Sequence, residues 1–560
     1  MKVLPMECVT MKGELAERAN ANFARLELAE YAPDRLFQPA GYSWPGDFEG
    51  RTILAWVLLS RATGKDALFL EEVLEKLPGY YNERGYLGMI HPKGTLDEQQ
   101  LSGHSWLLRG LCEYYEWKRD SRVYGWIGNI VRGLLLPAAG IYAGYPISPG
   151  ERRQEGEAIG ELTGEKIGAW YVSSDIGCAF IMLDGATHAY SIMPSPELKE
   201  LIEEMIARFT DIDFIGVSMQ THATLSALRG MLRFYSFHPQ EDLLQEINRI
   251  YQLYRQTAMT DNYENFNWFG RPDWTESCAV IDSFMVSFEL WRITDDPGCL
   301  GDAEHILLNG MGYGQRPGGG FGCNVCASGG HHELKPHPDL YEAYWCCSMR
   351  GGEGLARAVE YAFLQDSETI RLPFYHKATV KTSWDDESIA FTVETSYPIE
   401  GETAIKIESS TLKQARKFQL YIPAWVDPSD VKLSLNGEAV PSEVADGFAS
   451  CEGLFREGDV IRLSFPVGLR REQAMQGDER SVTYRHGALL LGADGELYVA
   501  ACEHKVNDDP RGTGSQEAPI YLGDGEYLFQ SSQIKLSPVN RLFYKTTEEA
   551  KQDHKMVIFP

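Results

Sequence analysis

Two hydrophobic periodicities divide this chain. From about residue 13 to residue 364, apolar residues recur at three- and four-residue spacing, the mark of helices with one buried stripe. The segments 14–28, 53–63, 96–117, 196–209, 243–257 and 278–293 all follow it. Loops rich in glycine, proline and aromatic residues separate them, such as Leu77-Pro78-Gly79-Tyr80-Tyr81 and the glycine-dense stretch 314–330. About a dozen helices without a strict repeat predict a toroid of helical hairpins, because a helical solenoid would show clearer self-similarity.

After about Asp366 the period drops to two. Ile389, Phe391 and Val393 alternate with polar or small residues, as do Ile405 and Ile407, then Phe418, Leu420 and Ile422, then Val431, Leu433 and Leu435, then Ile461, Leu463 and Phe465. The dipeptides Asn436-Gly437, Asp446-Gly447 and Glu457-Gly458 punctuate them as turns. This pattern predicts an antiparallel β-sandwich. A further β-rich stretch from Ser481 is either a second sandwich or the completion of the first. The expected division is a helical domain over 1–365, a sandwich over 366–475 and a last β-rich unit over 476–560.

With 560 residues, two or three domains are expected. The net charge of −28 argues against nucleic acid or an anionic membrane surface as partner and suits a neutral substrate or a cation. The first residues lack the apolar core of a secretory signal, and a run of roughly 20 apolar residues able to span a bilayer is not found. Eleven unevenly placed cysteines then point to reduced thiols and metal ligation in a cytoplasmic protein. Whether the chain acts alone or as a homodimer is left open.

Two cysteine clusters change the picture: Glu276-Ser277-Cys278 and the adjacent pair Cys346-Cys347. Neighbouring cysteines bridge poorly, because the disulfide geometry is strained. Three thiolates and a carboxylate make a full set for a zinc ion, which thiolates favour over magnesium and calcium. Such a site keeps a bound sulfur deprotonated and nucleophilic. Cys323-x-x-Cys326, followed by His331 and His332, is a rival source of ligands on spacing alone.

These residues resemble glycoside hydrolase family 127, the β-L-arabinofuranosidase-like family. Thr275-Glu276-Ser277-Cys278 looks like its Glu-x-Cys segment and Cys346-Cys347 like its cysteine pair. Tyr421-Ile422-Pro423-Ala424-Trp425, Leu435-Asn436-Gly437, Gly458-Asp459-Val460 and His486-Gly487-Ala488-Leu489 follow in the family's order. The resemblance implies an (α/α)6 barrel joined to β-sandwich domains, zinc on Glu276, Cys278, Cys346 and Cys347, and Cys346 as nucleophile of a retaining hydrolysis. It also implies sugar contacts from His104 (after Gly103), His222 and Glu304. Two departures mark a divergent member. Ser348-Met349-Arg350 stands where the family has prolines, and the acid/base candidate Glu264 lies closer to Glu276 than in the family pattern.

The expected chemistry is attack by Cys346 on a β-L-arabinofuranoside or related sugar, with Glu264 protonating the leaving group and then activating water. Asp261 and Asp273 are rival carboxylates near Glu264, and Trp268, Trp274 and Trp345 are candidates to stack on a sugar face. The bland alternatives are a carbohydrate-binding scaffold with a structural zinc, or a sugar epimerase or lyase on the same barrel.

Overall fold

The computed structural model describes residues 1–37, 44–152, 162–272, 274–326, 333–441, 443–475, 479–497, 518–530 and 532–559. Among the described residues, twelve helices of seven residues or more build its first part: α1 (Gly13–Arg25), α2 (Asp47–Thr63), α3 (Leu70–Lys76), α4 (Glu98–Lys118), α5 (Ser121–Ile130), α6 (Met182–Ile192), α7 (Pro196–Thr210), α8 (Thr221–Phe237), α9 (Glu241–Thr257), α10 (Ser277–Thr294), α11 (Pro297–His305) and α12 (Cys347–Tyr361). The even-numbered helices touch in sequence, α2–α4–α6–α8–α10–α12, and α12 returns to α2. That closed inner ring, with odd-numbered helices outside it, is an (α/α)6 barrel.

Local chemistry sets the helix starts. Asp97 caps α4 by accepting from Gln99 and Gln100 N–H, and Ser195 caps α7 ahead of Pro196 in its first turn. Outer helices such as α9 bury a single stripe (Leu243, Ile247, Ile250, Tyr251, Tyr254), whereas inner α2 is buried almost all round. Glycine permits the close crossing of α2 with α4: a Cβ on Gly50 would sit 2.1 Å from Leu107 N. The helices α6, α8 and α12, outside the six segments singled out by periodicity, are inner helices of this kind, nearly covered on every side.

Two sheets form the sandwich. One is seven-stranded, in the order Glu438–Val440, Lys432–Leu435, Val460–Phe465, Gly401–Ser410, Glu387–Thr395, Ala378–Trp384, Val9–Met11. The other is six-stranded and contains Thr369–Leu372 beside Arg416–Tyr421, a parallel pair within an otherwise antiparallel arrangement. The first residues of the chain therefore belong to strands of the sandwich: Val9 pairs with Val380, and Val3 with Leu364. Inward residues such as Ile389, Phe391, Val393, Ile405 and Ile407 fill the core at the period read from sequence.

The last sheet is ten-stranded and does not stop at the C-terminal unit. Lys555 pairs with Leu334, and Glu333–Pro336 pairs onward with Asn324–Val325, which pairs with Trp274–Thr275. A sheet that begins in the C-terminal unit thus ends in barrel loops, one residue short of Glu276. As a domain division, 1–365, 366–475 and 476–560 is proposed, with strand pairing crossing it at both places.

Candidate active site

Neighbouring inner helices α10 and α12 present their N-termini to one point. Glu276 is the residue before α10 and Cys278 lies in its first turn; Cys346 precedes α12 and Cys347 opens it. Neither Glu276 nor Cys346 uses its side chain to cap its helix. Both side chains are left to face the space where the two helix ends add positive potential.

The four side chains converge. Cys346 Sγ lies 3.0 Å from Glu276 Oε1 and 3.1 Å from Cys278 Sγ, while Cys278 Sγ is 3.9 Å from Cys347 Sγ. One donor atom from each of the four falls within 4.8 Å of the others. These sulfur separations are far beyond a bonded pair at about 2.05 Å, and all three cysteines are free. Soft sulfur donors gathered without a covalent link fit a thiophilic dication such as zinc. Cys278 and Cys347 are buried, whereas Cys346 is partly exposed. Hydrogen bonds from Cys278 and Cys347 hold the Cys346 thiol well below its usual range, while burial and then Cys346 push Glu276 well above its own.

Buried charge surrounds this set. Arg51 Nη1 is 3.4 Å from Cys278 Sγ, and its Nε lies 2.9 Å from both carboxylate oxygens of Asp47. The guanidinium also lies 4.4 Å over the Trp106 ring, and Arg350 lies 4.3 Å over the same indole. His222 stacks on Trp106 with ring centroids 5.6 Å apart. Its Nδ1 is 3.9 Å from Glu276 Oε2 and its Nε2 3.3 Å from Asp282 Oδ2. Asp282, one helical turn beyond Cys278, also accepts from Ser226, Arg229 and Arg350. Spacing along the chain exposes little of this. Four steps of four residues, Asp47–Arg51, His222–Ser226, Cys278–Asp282 and Cys346–Arg350, are readable as same-face neighbours.

Glu264 projects from a tight turn. Tyr263 N donates to Thr260 O and Thr260 N to Glu264 O, with Tyr263 at a φ of 56°. Asn324 Nδ2 donates to Glu264 Oε1, and Arg316 holds Asn324 Oδ1 at 2.9 Å. Asn324 pairs across the strand ladder with Thr275, the residue before Glu276, which ties Glu264 to the thiolate set through one strand pair. The carboxylate is sealed (1% exposed), and burial pushes it up to about 7.

The other expected residues divide. His104 uses both ring nitrogens on backbone, Nε2 accepting from Leu87 N at 3.0 Å and Nδ1 lying 2.8 Å from Gln100 O. Burial takes it down to about 4, so the neutral ring is a strut of the barrel and has no nitrogen left for a sugar hydroxyl. Glu304 lies at the seam with the sandwich, where Tyr397 Oη donates to its Oε1 at 2.6 Å. Trp268 is buried edge-to-face with Trp274, 5.5 Å between centroids, and Trp274 remains half-buried, as does Trp345. Cys323 hydrogen-bonds the Cys347 side chain, whereas Cys326 Sγ turns to Asn265 O at 3.5 Å, so the CxxC pair does not act as a unit. His331, His332 and Asp273 lie outside the described residues.

Comparison with known proteins agrees with this architecture. Residues 369–467 match the family model described as Beta-L-arabinofuranosidase, GH127 middle domain. The whole fold is similar to a GH127 beta-arabinofuranosidase (15% identity, TM-score 0.70, covering 100% of this chain and 97% of that one). It is similar also to a GH127 beta-L-arabinofuranosidase from Geobacillus Stearothermophilus T6 (14% identity, TM-score 0.69, 98% and 99% covered). No curated protein matches the chain in sequence. The resemblance to glycoside hydrolase family 127 is therefore shown in the fold and the middle domain, in a divergent form.

Proposed function

We propose that this protein is a retaining glycoside hydrolase acting on a β-L-arabinofuranoside or a related sugar, with Cys346 as nucleophile. The observation that carries the reading is the convergence of Glu276, Cys278, Cys346 and Cys347, with Cys346 the one sulfur of the three that is partly exposed. Glu276, Cys278, Cys346 and Cys347 would hold zinc, which when bound keeps the sulfurs ionised at neutral pH.

Cys346 Sγ attacks the anomeric carbon, the carbon–oxygen bond breaks, and Glu264 gives its proton to the departing oxygen. The sugar is then held as a thioglycoside on Cys346. Glu264, now a carboxylate, takes a proton from water; the water oxygen bonds to the anomeric carbon and the thiolate departs. A carboxyl group near 7 suits both duties, being substantially protonated at neutral pH yet able to ionise. His222, beside Glu276, is the proposed hydroxyl contact, and Trp274 and Trp345 the proposed stacking surfaces; the geometry gives His104, Glu304 and Trp268 other partners.

All ten described cysteines are free, which supports a reducing compartment, and no described helix is long and apolar enough to cross a membrane. The test is to incubate zinc-loaded protein with an activated aryl β-L-arabinofuranoside, quench, and map the attached sugar by peptide mass spectrometry. A sugar on the Cys346 peptide supports the reading; a sugar on any other peptide, or full activity in Cys346→Ser, overturns it.

A further inference from the structure

Three sulfurs and one carboxylate meet at this site, and the proposed reaction uses one sulfur. We propose that Arg51 is a positioning residue that withdraws Cys278 from the chemistry and thereby leaves Cys346 as the sulfur that attacks. The inference rests on the metal-thiolate reading above and adds to it the reason for the choice among the three.

The contacts outside the set are unequal. Cys278 Sγ faces Arg51 Nη1 at 3.4 Å, a charged N–H donor. Cys347 has the side chain of Cys323, a thiol and not a charged N–H group. Cys346 Sγ has hydrogen-bonding partners only within the set among the described residues: Glu276, Cys278 and Cys347. Once those groups ligate a metal they hold no proton to donate. Cys346 also gains no helix-capping bond from α12. A donor N–H drains electron density from the thiolate it hydrogen-bonds, so Cys278 is the sulfur that Arg51 quietens, while Cys346 has no such donor among the described residues and is the partly exposed one.

Arg51 is built to stay where it is. It is 5% exposed, its Nε is held by both Asp47 oxygens at 2.9 Å, and its plane lies on Trp106. Asp47 and Arg51 are four residues apart on α2, so the helix itself fixes the pair. Lysine could not serve both partners, because a single ammonium lacks the planar fork that lets Nε bind Asp47 while Nη1 reaches sulfur.

The test uses full-length protein loaded with cobalt(II), whose thiolate-to-metal absorption band reports sulfur electron density, alongside zinc-loaded kinetics on an aryl β-L-arabinofuranoside. Arg51→Met is expected to move the band to longer wavelength, also in a Cys346→Ser background, which locates the change at Cys278. It is expected to lower kcat at least about ten-fold while KM stays within about two-fold, with Arg51→Lys intermediate in both. A band that stays in place, or a kcat within about two-fold of wild type, in metal-loaded Arg51→Met overturns the assignment. If Arg51→Met fails to fold by circular dichroism, the same two criteria are applied to Arg51→Lys. Absence of any thiolate band in the wild-type protein overturns the metal reading itself, and this assignment with it. A wild-type band with unchanged Arg51 variants removes only the role of Arg51.

Discussion

Met475 N donates to Asp261 Oδ1 at 2.7 Å, so the end of the sandwich unit grips the turn from which Glu264 projects. Arg485 reinforces the grip: its Nη2 donates to Asp261 O at 2.8 Å, its Nε to Glu472 Oε2 at 2.8 Å, and its guanidinium lies 5.2 Å over Tyr263. Arg485→Met leaves Asp261 O without that donor and is expected to destabilise by roughly 2 kcal/mol. Activity should fall further than stability explains, by about ten-fold in kcat, because the turn carrying Glu264 loosens. Thermal unfolding and steady-state kinetics on the same preparation check both parts.

Removing a buried sulfur from the metal set differs from removing the exposed one. Cys278→Ala is expected to leave about a tenth of an equivalent of bound zinc or less and to lower the melting temperature, since a ligand set of this kind couples metal binding to folding. Cys346→Ser should hold zinc more weakly than wild type but remain folded, with hydrolysis lost. Zinc per chain by elemental analysis, with melting curves before and after chelation, distinguishes the two.

Glu304 should make stability depend on pH. Burial raises it to about 7 against Tyr397 and Arg470, which oppose the rise, and Tyr375 and Tyr421 face it from the sandwich. A raised carboxyl pKa means that the folded chain binds the proton more tightly than the unfolded one. The stabilisation is complete below the unfolded value, near 4.5, and is lost as pH rises through 7. At full effect it is roughly 3 kcal/mol, at 1.36 kcal/mol per unit. Glu304→Gln keeps an acceptor for Tyr397 Oη and should flatten that part of the curve, measured by denaturant unfolding from pH 5 to about 8.5.

His104→Leu should act on stability and spare substrate affinity. Leu87 N–H would lose its acceptor at a buried site, a loss of roughly 2 kcal/mol. KM unchanged beside a lowered melting temperature fits a strut; a raised KM at wild-type stability would return His104 to the sugar site.

The two periodicities were enough to read the helical toroid and the sandwich. Core stripes such as Leu243, Ile247, Ile250 and Tyr254, or Ile405 and Ile407, repeat wherever an element has one wet face. They did not single out α6, α8 and α12, where many buried positions are small or polar (Gly185 and Thr187, Thr224 and Ser226, Gly351 and Glu353) and break the apolar repeat, nor the short strands at Lys2–Val3 and Val9–Met11. The ligand set was legible because Glu276-x-Cys278 and Cys346-Cys347 are local patterns of rare chemistry. His104 and Glu304 were read from short matches, and such matches carry no account of which partner takes the side chain once the chain folds.

The order of residues by itself determined two fold types in succession and two short motifs that carry four candidate metal ligands, because both are properties of neighbours along the chain. The tertiary structure alone decided that the groups meet, and what surrounds them. Glu276 and Cys346 are 70 residues apart and come within 3.0 Å only because α10 and α12 are adjacent staves of a closed ring. Arg51 arrives from a third stave, and Met475 and Arg485 from the far end of the chain. Contacts of that range depend on ring closure and sheet pairing, and no local spacing encodes them.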